Sequence, residues 1–257
     1  LRLLFICCHP ALAPEAQVAL ALRTLCGLST AEIARAFGVA EAALSQRVLR
    51  AKRKIAEAGI PFELPVKQDW PQRLAQVQHV IYLVFSEGYC ASGGDTLLRA
   101  DLCAEALRLA RLLDGLLPDQ PEVQGLLALL LLQASRGPAR LSPEGQLLTL
   151  EEQDRRLWHG ELIAEGLGVL QQALAARVPG PYQLQAAIAA LHAKAPTACQ
   201  TDWRQVHLLY GVLLRHKPEP LVLLNAVIAC AMAFGTEHGL AWLARLEALP
   251  GLATSHY

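Results

Sequence analysis

The sequence predicts an all-α protein with a helix-turn-helix at its N-terminus and a tetratricopeptide-like helical-repeat region behind it. Three observations carry that prediction. The 257 residues are 53% hydrophobic but only 5% aromatic, so Leu and Ala dominate, and both favour helix. Apolar residues recur at three- and four-residue spacing through most of the chain. Prolines fall in pairs between the long periodic stretches, one closing a helix and the next opening another.

The first thirteen residues contain an apolar helix, LRLLFICC, which His9-Pro10 ends because Pro disfavours helix at the residue before it. Pro14 opens a second helix. Ser29-Thr30-Ala31-Glu32 has the form of a capping box and starts a third at about Thr30. Phe37-Gly38-Val39 stops it, Gly supplying the left-handed residue of a sharp turn. From Glu41 the apolar residues Leu44, Val48, Ala51 and Ile55 recur along one face, leaving Ser45, Gln46, Arg47, Arg50, Arg53 and Lys54 outward. Small polar groups early in a helix and cations later suit the major groove, where the first side chains reach base edges and the later ones meet phosphates. The same residues also read as a small helix pair followed by a solvated basic helix.

Charge distribution favours the first reading. Formal net charge is zero, yet residues 1–57 hold eight Lys/Arg against four Asp/Glu, so the remainder is acidic by the same margin. A basic front segment on an acidic body places nucleic-acid contact at the front alone.

The stretch 14–55 resembles region 4 of bacterial sigma factors of the extracytoplasmic-function (ECF) class. The matching residues are Gly27-Leu28-Ser29, Glu32-Ile33-Ala34, Phe37-Gly38-Val39, Arg47-Val48 and Arg50-Ala51-Lys52-Arg53-Lys54-Ile55. The resemblance implies recognition of the promoter −35 element, with Ser45, Gln46 and Arg47 near bases and Arg50, Lys52, Arg53 and Lys54 on the backbone. It implies promoter DNA and core RNA polymerase as partners. It also implies a region 2 ahead of Leu1, so the sequence is expected to be a fragment. In one place the sequence departs: where the family often has Thr opening the recognition helix, this chain has Ala43.

Beyond a first domain at 1–58, Gly59, Pro61 and Pro65 mark 59–70 as a linker, and 71–257 as a second domain. Arg73 to Phe85 is periodic, followed by a predicted loop, FSEGYCASGGD (85–95). Helix pairs are then expected at about 97–117 and 121–134, 155–177 and 181–194, and 202–216 and 220–234, with a last helix at 237–248. Three such hairpins are the mark of a helical solenoid, although the second-helix prolines are unevenly spaced and 137–154 is an insertion. This region resembles the C-terminal extension on one subgroup of ECF sigma factors, through FSEGY (85–89), RADLCAEALRLARLL (99–113), EEQDRRLW (151–158), GPYQLQAAIAALHA (180–193), TDW (201–203) and LLNAV (223–227). There Asn225 is followed by Ala226, where the subgroup usually has Arg.

Polar residues set among apolar ones must be paired or exposed. Glu87, Tyr89, Asp101, Glu105, Arg108, Asp154, Arg155, Gln183, His192 and Asn225 are therefore candidates for binding a protein or peptide partner on the repeat face. The alternative is that they are interhelical hydrogen bonds fixing the repeat geometry. With no Gly-rich phosphate loop, Gly-x-Ser-x-Gly elbow or His-Glu-x-x-His, no enzymatic activity and no cofactor are expected. Seven cysteines, odd in number, read as buried free thiols rather than disulfides or metal ligands. No apolar run reaches about 18 residues and no signal peptide is recognisable, so no membrane partner and a cytoplasmic location are expected. Two functions stay open: a promoter-recognition factor with a regulatory repeat domain, and an interaction scaffold whose helix-turn-helix is structural.

Overall fold

The computed structural model describes residues 2–60, 63–66, 68–90 and 98–247. Among them are twelve α-helices, three short 3-10 turns and one isolated antiparallel bridge, Leu141 to Leu147. The protein is all-helical, as its sequence predicts. Its contacts gather into two compact units, Leu1–Pro118 and Asp119–Tyr257.

The first unit contains α1 (Arg2–Cys7), α2 (Pro14–Thr24), α3 (Thr30–Ala36), α4 (Glu41–Glu57), α5 (Trp70–Tyr89) and α6 (Ala100–Leu116). The capping box forms: the Glu32 amide donates to Ser29 Oγ at 3.1 Å and the Ser29 amide to Glu32 Oε2 at 2.7 Å. Such a cap contributes about 0.5–2 kcal/mol, which a seven-residue helix needs. Gly38 takes the left-handed conformation, φ 61°, that turns α3 into α4. Ile33, Leu44 and Ala51 are buried, so α3 and α4 seat on each other and on α2.

The units do not follow the sequence boundary at 59–70, because α5 and α6 group with the helix-turn-helix. The rings of Phe5 and Trp70 lie 5.1 Å apart. Arg73 Nη2 donates to the Phe5 carbonyl at 2.5 Å, closing the C-terminal end of α1. Gln76 Nε2 donates to Gln17 Oε1 at 2.6 Å, and the buried Gln17 donates in turn to the carbonyls of His9 and Leu12. Gly59 takes a left-handed conformation, φ 58°, just after α4, while 61, 62 and 67 lie outside the described residues.

The predicted loop at 85–95 is corrected in part. Phe85–Tyr89 form the last turn of α5, while 91–95 lie outside the described residues. Gly88 explains why a glycine sits inside that helix: α6 crosses α5 there almost backbone to backbone.

In the second unit, α7 (Pro121–Ala134), α8 (Gly160–Ala175), α9 (Pro181–Lys194), α10 (Trp203–His216), α11 (Pro220–Phe234) and α12 (Thr236–Glu247) follow in order. Helix α7 is apolar on every side and buried from Leu126 to Leu132, which makes it the central helix. Both α8 and α9 pack on it, Gly166 against Leu131 and Leu132, and Gly125 against Gln183. Beyond it Leu184, Ile188, Val206, Leu213 and Ala229 form a second core joining α9, α10 and α11. Pro121, Pro181 and Pro220 open helices as expected. Of the three predicted pairs, the first falls on both sides of the unit boundary.

The helix predicted from Arg155 begins instead at Gly160. Asp154 caps a 3-10 turn, Arg155–Leu157, by accepting from the Arg156 amide at 3.0 Å, and Trp158 and His159 are extended. That kink turns Trp158 inward to 7% exposure. Ala248, the predicted end of the last helix, lies outside the described residues.

Gly88→Ala places a Cβ 2.7 Å from the Cys103 nitrogen and 2.8 Å from the Arg99 carbonyl oxygen, both backbone atoms. The expected loss is about 1–3 kcal/mol, read as a lower urea midpoint. Gly115→Ala in α6, where a Cβ meets nothing within 4 Å, is the control and is expected to gain roughly 0.5–1 kcal/mol.

Candidate nucleic-acid interface

Helix α4 has a clean division of faces. Leu44 and Ala51 are buried and Val48 and Ile55 half-buried on the inner side. Ser45, Gln46, Arg50, Arg53 and Lys54 are exposed, as their spacing predicts, and so is Lys52. Among the described residues none of these four cations is hydrogen-bonded to, or ion-paired with, another side chain. A row of unneutralised cations can take the place of the counterions condensed on a nucleic-acid backbone and release them. Its first turn follows Ala40, which supplies extended backbone but no side-chain cap, so the helix start lies three residues ahead of Ala43.

Arg47 differs from its neighbours and is half-buried. It lines a groove of about 420 Å³ whose other walls include Glu15, Phe37, His79, Leu83 and Glu87. It also borders a smaller groove, about 270 Å³, with Glu15, Arg50 and Lys54. Thus α5 forms a wall beside the middle of α4, and two carboxylates share a groove with the guanidinium predicted to sit nearest the bases.

Residues 2–55 match the family described as sigma-70, region 4. Likeness to a sigma factor is thus shown for this N-terminal segment. Residues 73–174, from α5 to α8, match a family of unknown function (DUF6596). An uncharacterized protein of Rhizobium meliloti (strain 1021) is 52% identical over 257 residues, the whole of this chain. The chain spans 61% of that relative's length. No solved structure matches.

Five of the ten partner-binding candidates belong to the same unit as the sigma-like helices rather than to a separate repeat domain. Glu87 and Tyr89 end α5, where the Tyr89 ring stacks on Phe85 at 5.5 Å. Asp101 pairs with Arg99 at 2.7 Å and Glu105 with Arg108 at 2.9 Å. Arg108 also donates to the Leu25 carbonyl at 3.0 Å, docking α6 on the turn after α2.

In the second unit Asp154 pairs outward with Arg156 at 2.7 Å. Gln183 bridges helices, donating from Nε2 to Glu122 Oε2 at 3.1 Å and to the Val178 carbonyl at 3.1 Å. Glu122 also accepts from the Tyr182 amide at 2.6 Å, so a side chain of α7 caps the start of α9. Burial outweighs those bonds and raises the Glu122 pKa above the ordinary carboxylate value. Arg155 Nη1 donates to the carbonyls of His192 and Ala195, closing the end of α9, and its guanidinium lies over the Trp158 ring at 4.9 Å. Asn225 stands apart, half-buried on α11. Arg108, Arg155 and Gln183 thus tie separate elements together, while Asp101, Glu105 and Asp154 pair with near neighbours in the chain. Glu122 was missed, since no local pattern marks a residue whose partner, Tyr182, lies 60 positions away.

Cys7 and Cys8 are buried, and burial pushes their thiols up, Cys7 to about 11. Cys90 and Cys199 are exposed, so the buried-thiol reading does not extend to them.

Burial, then the nearby Arg136 and Arg155, push His192 down to about 4. The unfolded chain takes up a proton near pH 6.5 while the folded one does not, so stability falls as pH drops from 6.5 to about 4. The loss by pH 4 is on the order of 3 kcal/mol. His192→Gln is expected to remove this slope from urea unfolding measured across that range.

Proposed function

We propose that this chain is part of a sigma factor that directs core RNA polymerase to promoters by reading a −35 element with α4. Ser45, Gln46 and Arg47 meet base edges in the major groove, and Arg50, Lys52, Arg53 and Lys54 meet phosphates. The carrying observation is the row of exposed, unpaired cations on a helix inside the region 4 match. The likeness to the ECF class with a tetratricopeptide-like extension belongs to this reading. So do a regulatory role for the helices behind the reader and a cytoplasmic location. Catalysis has no part in it. No described helix is long and apolar enough to cross a membrane.

The docking of α5 and α6 on α1, α2 and the turn after α2 favours a second reading, a scaffold in which the helix-turn-helix is structural. That docking leaves the cationic face of α4 exposed, which is why the promoter reading is preferred.

Selection of duplexes from a random pool, with the full chain and core RNA polymerase present, is expected to enrich one common element. Arg47→Ala changes which bases are enriched. Arg50→Ala with Arg53→Ala weakens every duplex alike and lowers the slope of log affinity against log salt by about 2. No enrichment, or double-variant binding and salt slope equal to those of the parent, removes the promoter reading and leaves the scaffold.

A further inference from the structure

Between the end of α9 and the start of α10 the second unit gathers polar groups that the interhelical ties do not use. Arg155 lies over Trp158, donates to the last carbonyls of α9, and so touches the strand of chain carrying His192. The His192 ring meets Trp203 edge-on at 5.2 Å. Within this contiguous set Arg155 Nη2, Trp158 Nε1, Trp203 Nε1, His192 Nδ1 and Thr201 Oγ1 are buried without a hydrogen-bond partner among the described residues. Trp158 and Thr201 are 7% and 6% exposed. A buried polar group left unpaired is costly, so five of them on residues linked by these contacts call for an outside partner.

The chemistry of the orphans defines that partner. A guanidinium and two indoles can only donate, so what they lack is an acceptor. Arg155 has two carbonyls and an indole face around it, and no carboxylate among the described residues. Asp154, next to it in sequence, is turned to Arg156. A second guanidinium, that of Arg136, lies 5.7 Å from the Trp158 ring. A water molecule accepts a hydrogen bond but leaves the charge uncompensated, whereas an anion with several oxygens answers both needs.

We propose that the second unit binds a small oxyanion, a carboxylate or a phosphate, through Arg155 and the indole N–H groups of Trp158 and Trp203. The site lies wholly within that unit and does not depend on the promoter reading.

The four tryptophans, Trp70, Trp158, Trp203 and Trp242, each give one indole N–H signal in the ¹⁵N-labelled full chain, assigned by single Trp→Phe variants. Sodium phosphate and sodium succinate are titrated separately at pH 7, with ionic strength held constant by sodium chloride. The Trp158 and Trp203 signals are expected to move saturably while Trp70 and Trp242 stay. Response to phosphate alone assigns a phosphate ligand, and response to succinate alone a carboxylate ligand. Arg155→Lys is expected to weaken the response at least tenfold. Trp158→Phe keeps the aromatic packing, removes one donor, and is expected to weaken the Trp203 response similarly. Immobile signals with both anions overturn the proposal. So do equal movement of all four signals, the same shifts with chloride alone, or unchanged affinity in both variants.

Discussion

The arrangement of the first unit depends on one buried amide. Gln17 is 1% exposed, and such a group is tolerated inside a protein only with its bonds made. Its nitrogen serves two carbonyls of the turn between α1 and α2, and its oxygen takes the bond from Gln76 on α5. One side chain therefore fixes the entry to α2 and the seat of α5 together. Since α3 and α4 pack on α2, α4 and its neighbouring wall inherit their spacing from that amide. The partly covered position of Arg47 follows from it.

The two units treat polar groups in opposite ways. On α4 the cations stay in water, where each is cheap to keep and the entropy of released counterions rewards a polyanion. Around Arg155 donor atoms are withdrawn from water, where each bond that is made is stronger. A surface of the first kind binds many duplexes weakly and leaves discrimination to a few side chains.

What was legible in the sequence was local. The capping box at Ser29, the turn at Gly38 and the helix-opening prolines each act within four residues, and all three appear where expected. The faces of α4 were legible for the same reason, since a 3.6-residue period needs no knowledge of what lies opposite. The attachment of α5 was hidden, because Gln17 and Gln76 meet across 59 positions. The breakers of 59–66 look the same whether a chain is leaving a domain or doubling back onto it. Trp158 was hidden differently: its inward turn depends on an Asp154 cap that interrupts an otherwise helical pattern.

The all-round apolar character of α7 bears on how the chain emerges from the ribosome. Its last residue, Ala134, is made well before α9 ends at Lys194. Synthesis at roughly 5–20 residues per second puts about 3–12 s between those events. During that interval a greasy cylinder lacks one or both of its covering helices, which makes it the natural grip for a chaperone and the stretch on which nascent copies would stick together.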